Sequence, residues 1–160
     1  NGAGESVRLP KSTLLPKLTL VDAGRPKQTT GELVSAVRQY KIENEELFQQ
    51  YAEAVSSCVA ATNQALLTDD ATLFHNSMLV NQGLLERFPI VAPDVQEFCK
   101  AIRDVGGAAK ISGAGGISIN AGGLVLVFGL EREEIEKLAQ QYTFSCFLPI
   151  DFGVQGVHHV

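Results

Sequence analysis

Residues 106–123 carry the composition best suited to chemistry. They read Gly-Gly-Ala-Ala-Lys-Ile-Ser-Gly-Ala-Gly-Gly-Ile-Ser-Ile-Asn-Ala-Gly-Gly. A short apolar run at 108–112 ends in Ser112 and enters a loop that holds Gly113, Ala114, Gly115 and Gly116. A second apolar run at 124–128 leaves it. Glycine lets a backbone take positive φ and lie close to a ligand. Successive N–H groups in such a bend form a concave anion site. Lys110 adds a positive charge just upstream. Phosphate is the ligand this combination suits, and the same glycines also suit a hairpin turn with no ligand. In the first case Gly115→Val is expected to damage phosphate binding more than stability, because a β-branched side chain fills the space the ligand needs.

A second candidate is Gly-Arg-Pro-Lys-Gln-Thr-Thr at 24–30. It sets the cations Arg25 and Lys27 and the hydroxyls of Thr29 and Thr30 at a helix start, which Thr29 and Glu32 mark by their capping-box spacing. Free N–H groups and the helix dipole attract anions there. Without a ligand the same residues are a capped helix with solvated cations. Asn81 is the third candidate. It falls on the apolar stripe of Phe74, Met78, Leu85 and Phe88, where an amide requires a partner. A buried structural hydrogen bond is its expected role. His75, His158 and His159 have no Cys or carboxylate at metal-ligand spacing, so no metal site is expected. No Ser-His-Asp or Cys-His constellation can be assembled from neighbouring residues.

Several elements must position these groups. Residues 14–21 have strand composition, with Pro16 restricting them to an edge or a late start. Four helices follow. The first opens at Thr29. The second, over 44–67, turns Phe48, Tyr51, Val55, Cys58, Val59 and Leu66 to one face. Asp70 caps the third, and Pro93 suits the first turn of the fourth. Two strands then flank the glycine loop. A fifth helix over 131–142 carries acids in its first turn. A strand over 143–150 follows, and 154–160 is a candidate for another. This order predicts an α+β fold, an antiparallel sheet with helices packed on one face.

Known phosphate loops limit the options. The P-loop needs Gly-Lys-Ser/Thr leading into a helix, and the dinucleotide fingerprint needs spaced glycines that open a helix. Here a strand-like run follows the glycines. At 160 residues, with 45% hydrophobic and 19% charged residues, the chain has the composition of one globular domain or half of a larger one. A net charge of −5 argues against nucleic acid or an anionic membrane as partner. Cys58, Cys99 and Cys146 are odd in number and far apart, which suggests a reducing cytoplasm over a disulfide framework. The first residue is Asn, and residues 1–16 are expected to be a linker or the tail of an upstream domain, with the domain proper at 17–160.

The glycine loop resembles the third motif of the GHMP kinases, roughly Lys-x-x-Gly-Ala-Gly-x-Gly-Gly. Lys110, Gly113, Ala114 and Gly115 match in place. Ile117 and Ser118 stand where the family usually has glycines, and residues 120–123 look like a small insertion. Thr30 fits the family's helix-opening threonine and Thr29 the residue before it. Asn81-Gln82-Gly83-Leu84-Leu85 resembles its Asn-His/Gln-x-Leu-Leu segment. The resemblance runs from about residue 18 to the end and is strongest to mevalonate kinases. It implies a ferredoxin-like C-terminal domain of a cytoplasmic enzyme of isoprenoid biosynthesis. That enzyme would move the ATP γ-phosphoryl, with Mg²⁺, to the hydroxyl of a small alcohol. Lys110, Ser112, Gly113, Ala114, Gly115 and Gly116 would hold phosphate, and Arg25, Thr29, Thr30 and Asn81 the substrate. The family's main nucleotide loop, Pro-x-x-x-Gly-Leu-Gly-Ser-Ser-Ala, and its catalytic Asp and Lys belong to the N-terminal domain and do not occur here. The implied partner is that N-terminal domain, a homodimer is compatible, and the 160 residues alone should be inactive. The other reading is a non-catalytic ferredoxin-like module that binds a small ligand or a protein.

Overall fold

Pro16 decides how the chain enters the sheet. Its ring lacks the N–H a strand ladder needs, and Leu15–Lys17 form a 3₁₀ turn instead. The strand expected over 14–21 therefore starts late, as β1, Thr19–Asp22. The structure is a computed structural model and describes residues 13–113 and 115–147. After β1, the Asp22 carboxylate accepts the Gly24 N–H at 2.9 Å and turns the chain out of the sheet. Helix α1, Thr30–Glu43, opens on the expected Thr29–Glu32 capping box. Helix α2, Glu45–Thr68, ends at Asp69 in the left-handed conformation. Asp70 then caps α3, Ala71–Leu85, by accepting the Leu73 N–H at 2.9 Å. Pro93 opens α4, Pro93–Asp104. Strands β2, Ala108–Ser112, and β3, Leu124–Phe128, flank the glycine loop. Helix α5, Arg132–Gln141, and β4, Ser145–Cys146, follow.

The sheet has the order β2-β3-β1-β4, with every neighbouring pair antiparallel. β2 and β3 pair from Ala108 opposite Phe128 to Ser112 opposite Leu124, as the apolar runs predict. A strand follows the glycines, so the loop is not a P-loop. Alternation along the strands sorts their side chains between two clusters. Val21, Ala109, Ile111, Val125 and Val127 pack on Val95, Phe98 and Ile102 of α4 and Ile135 of α5. This is the helix layer that the α+β reading expects. Ala108 and Phe128 join Leu14 and the α2–α3 residues Ala65, Phe74 and Met78 in a second cluster. Among the described residues, no helix is long and apolar enough to cross a membrane.

Three local expectations change. Val59, expected on the apolar face of α2, is 59% exposed. Thr143 takes φ +61, so the strand expected from 143 begins at Ser145. Residues 148–150 and the candidate strand at 154–160 lie outside the described residues. Asn81 is half-buried, and its side chain makes no hydrogen bond among the described residues. The buried amide is its neighbour Gln82, whose Oε1 accepts the Ile111 N–H at 2.9 Å. The reason is topological. β2 is an edge strand, and an edge N–H facing a helix needs an acceptor that water cannot supply.

Candidate functional site

The segment after β1 runs beside the end of the glycine loop. Ala23 N–H donates to Gly123 O at 2.8 Å, Gly122 N–H to Ala23 O at 3.0 Å, and Gly123 N–H to Gly24 O at 2.8 Å. These bonds place the 24–30 turn opposite the loop. Between them lies a cleft of about 630 Å³, lined by Arg25, Lys27, Thr30, Ser112, Gly115 and Gly123 among others. Two segments far apart in sequence thus share one site.

Three side chains on the turn, those of Arg25, Lys27 and Thr30, are free to act. Arg25 and Lys27 are exposed and enter no ion pair among the described residues. Thr29 is occupied. Its hydroxyl donates to the Glu32 carboxylate at 2.9 Å and accepts the Glu32 N–H at 3.2 Å, while its own N–H donates to that carboxylate at 2.6 Å. The backbone N–H of Thr29, and then its hydroxyl, hold the Glu32 carboxyl below its ordinary pKa. The hydroxyl of Thr30 makes no hydrogen bond among the described residues and faces the cleft. Of the two threonines, Thr30 is the one available to a ligand.

The loop wall is made of backbone. Gly115 has φ +78, and a Cβ there would stand 2.2 Å from the Ile90 carbonyl oxygen. Gly116 donates its N–H to that same oxygen at 3.0 Å, so this N–H is committed to the fold. A Cβ on Gly116 would stand 2.1 Å from Ala121 O. Close backbone packing therefore requires both glycines, and it points to stability as the first property that Gly115→Val would lose, where the sequence points to the ligand. Gly113 differs. It is exposed at φ +83, with no heavy atom within 4 Å of an added Cβ. Ala114 lies outside the described residues.

Lys110 and Asn81 do not join this cleft. Both line a second, mostly apolar trough of about 550 Å³ with Leu18, Leu66, Met78 and Leu126. Lys110 is half-buried and its Nζ donates to Ile111 O at 2.7 Å. Removal from water pulls its pKa below the usual lysine value. Gln28, which no sequence motif singles out, does reach the cleft. Its only signal in sequence is an amide, with both donor and acceptor, just before the helix cap.

Two free cations, two hydroxyls, a backbone loop and the N-terminus of a 14-residue helix meet here. That donor set fits the oxygens of a phosphate chain. Among the described residues, no group of three or more His, Cys, Asp or Glu side chains gathers to hold a metal ion. The described residues that line the cleft therefore fit phosphate.

Comparison with known proteins gives the family and the fold. A model of the GHMP kinases C terminal matches residues 62–145. The chain is 29% identical over 128 residues to a phosphomevalonate kinase of Streptomyces sp. (strain CL190), covering 76% of this chain and 33% of that one. It superposes on the L. major mevalonate kinase in complex with R-mevalonate with a TM-score of 0.68 at 19% identity, covering 88% of this chain and 43% of that one. The Streptococcus pneumoniae phosphomevalonate kinase in complex with phosphomevalonate and AMPPNP gives 0.61 at 18% identity, with 81% and 39% covered. At these identities the two structures establish the fold. The chain thus spans about a third of the length of its curated relative. From its glycine loop, its antiparallel sheet and the matched span, the chain belongs to the GHMP kinases, whose C-terminal domain it carries.

Proposed function

We propose that the chain is the C-terminal half of an ATP-dependent kinase that phosphorylates mevalonate or phosphomevalonate. One observation carries the reading: the cleft of about 630 Å³ in which the basic turn faces the glycine loop. The names of the relatives support the substrate class, and the AMPPNP complex of one of them supports ATP as the donor.

ATP supplies the phosphoryl group when bound. The chain's own residues position and neutralise. Phosphoryl transfer places charge on three equatorial oxygens and depends on holding them in line with the acceptor. Arg25 and Lys27 offset that charge from the turn side. The Thr30 hydroxyl and the free N–H groups at the start of α1 hydrogen-bond phosphate or acceptor oxygens. Ser112, Gly115 and Gly123 close the opposite wall. Lys110 and Asn81 stand in the neighbouring trough and take no part in holding phosphate. The residues that activate the acceptor hydroxyl are assigned to an upstream N-terminal domain.

The test is a coupled ATP assay on the full-length gene product, with mevalonate and phosphomevalonate in separate arms. Turnover with one acceptor supports the reading and selects the substrate. The 160-residue chain alone should stay at background. Turnover by it near an ordinary enzymatic rate of about 10 s⁻¹ would contradict the two-half arrangement, and no turnover by the full-length product would favour a non-catalytic binding module.

A further inference from the structure

We infer that Gln28 is a positioning residue that fixes the distance between the two walls of the cleft. The inference rests on the kinase reading above. The Gln28 Nε2 donates to the Ser118 hydroxyl at 3.1 Å, and its Oε1 accepts the Ile117 N–H at 3.4 Å. One half-buried amide therefore spans 89 and 90 positions of sequence and grips two consecutive loop residues. Those two residues, Ile117 and Ser118, are where this loop carries side chains in place of the glycines that its motif otherwise has. A non-glycine loop has fewer unfolded conformations to lose. The Ser118 hydroxyl also gives Gln28 a partner that glycine lacks. The departures from the glycine pattern and the tether thus form one device.

Backbone bonds from Ala23 and Gly24 to Gly122 and Gly123 hold the base of the turn against the end of the loop, and two side-chain anchors of the loop lead elsewhere. Asp94 accepts the Asn120 N–H at 2.7 Å, and the Thr143 hydroxyl donates to the Asn120 side chain at 3.1 Å. They tie the loop to α4 and to the turn after α5. Gln28 ties it to the segment that carries Arg25, Lys27 and Thr30. Removing the Gln28 amide leaves the loop attached to the core and to the base of the turn at Ala23 and Gly24, and lets the part of the turn beyond Gly24 drift relative to Ser112 and Gly115. Ground state and transition state then lose the same contacts, which raises KM and leaves kcat nearly unchanged.

The experiment uses the full-length enzyme with Gln28→Ala, Ser118→Ala, the double variant and Ser118→Thr. Net hydrogen-bond contributions correspond to about 2- to 12-fold each. Gln28→Ala is expected to raise the KM for ATP about tenfold, with kcat changed less than about threefold and a melting temperature lowered by no more than a few degrees. Ser118→Ala gives part of this effect. The double variant is no worse than Gln28→Ala, because the pair is shared. Ser118→Thr, which keeps the hydroxyl, recovers most of what Ser118→Ala loses. An active, folded Gln28→Ala enzyme with wild-type KM overturns the positioning role and leaves the kinase reading standing. So do additive effects in the double variant, or a KM change that vanishes at temperatures where the variant is fully folded. A wild-type enzyme without ATP-dependent turnover overturns the kinase reading, and the role of Gln28 with it.

Discussion

The 113–123 loop and the 24–30 turn face each other across the cleft and use their residues differently. In the loop, what matters is the side chain that is absent. Gly115 and Gly116 let the backbone come within hydrogen-bonding distance of Ile90, with no space left for a Cβ. In the turn, what matters is the side chain that projects. Arg25, Lys27 and Thr30 have no partner among the described residues. A glycine-rich motif and a basic motif can thus be equally suggestive in sequence while one mainly shapes and the other mainly binds. Substitutions in the loop should act through folding. Substitutions in the turn should act through the ligand.

Gly115→Val presses hardest on that contrast. It combines a strained positive φ, costing about 1–3 kcal/mol, with overpacking against a carbonyl, costing roughly another 1–3 kcal/mol. Urea melts should show a loss of about 2–6 kcal/mol. A variant as stable as the wild type would mean that the loop lies elsewhere. On the other wall, the double change Arg25→Ala with Lys27→Ala should leave the melting temperature in place, since both residues are exposed. Its affinity for tripolyphosphate should fall about 100-fold or more, because hydrogen bonds to charged groups carry about 1.5–3 kcal/mol each and two are lost. Unchanged affinity would remove the turn from the site.

Two smaller effects sharpen the boundary between scaffold and site. Gln82→Leu strands the Ile111 N–H and should destabilise the fold by about 1–3 kcal/mol, with ligand affinity intact in the folded fraction. Thr29→Ala removes the cap and should cost about 1 kcal/mol near neutral pH. Glu32 gives that cap a pH dependence. Its folded pKa is depressed, so its contribution is complete above the unfolded value of 4.5 and is lost as pH falls through the folded one. The stability gap between wild type and Thr29→Ala should therefore narrow in acid. A gap that widened below pH 4.5 would contradict the capping-box account.

The parts of this molecule legible in its sequence are those set by near neighbours. The Thr29–Glu32 box, the Asp70 cap, the Pro93 helix start and the paired runs around the glycine loop all follow from residues within a few positions. What sequence left open depends on distant partners. Neighbouring helix positions differ by about 100°, so the stripe through Phe74 and Met78 could not separate Asn81 from Gln82 until the edge of β2 was placed beside α3. Lys110 and Ser112 share one face of β2, yet α2 and α3 enclose the first in the trough and leave the second in the cleft. The packing reason for glycine at Gly115 was hidden because Ile90, whose carbonyl a Cβ would meet, lies 25 residues earlier.

Tripolyphosphate titration of the ¹⁵N-labelled 160-residue chain tests the central claim, that phosphate sits between the turn and the loop, most directly. Saturable amide shifts are expected at Arg25, Lys27, Thr30, Ser112 and Gly115, with Asn81 and Lys110 unmoved. Shifts centred on Asn81 and Lys110, or no saturable shift at the cleft, would contradict it.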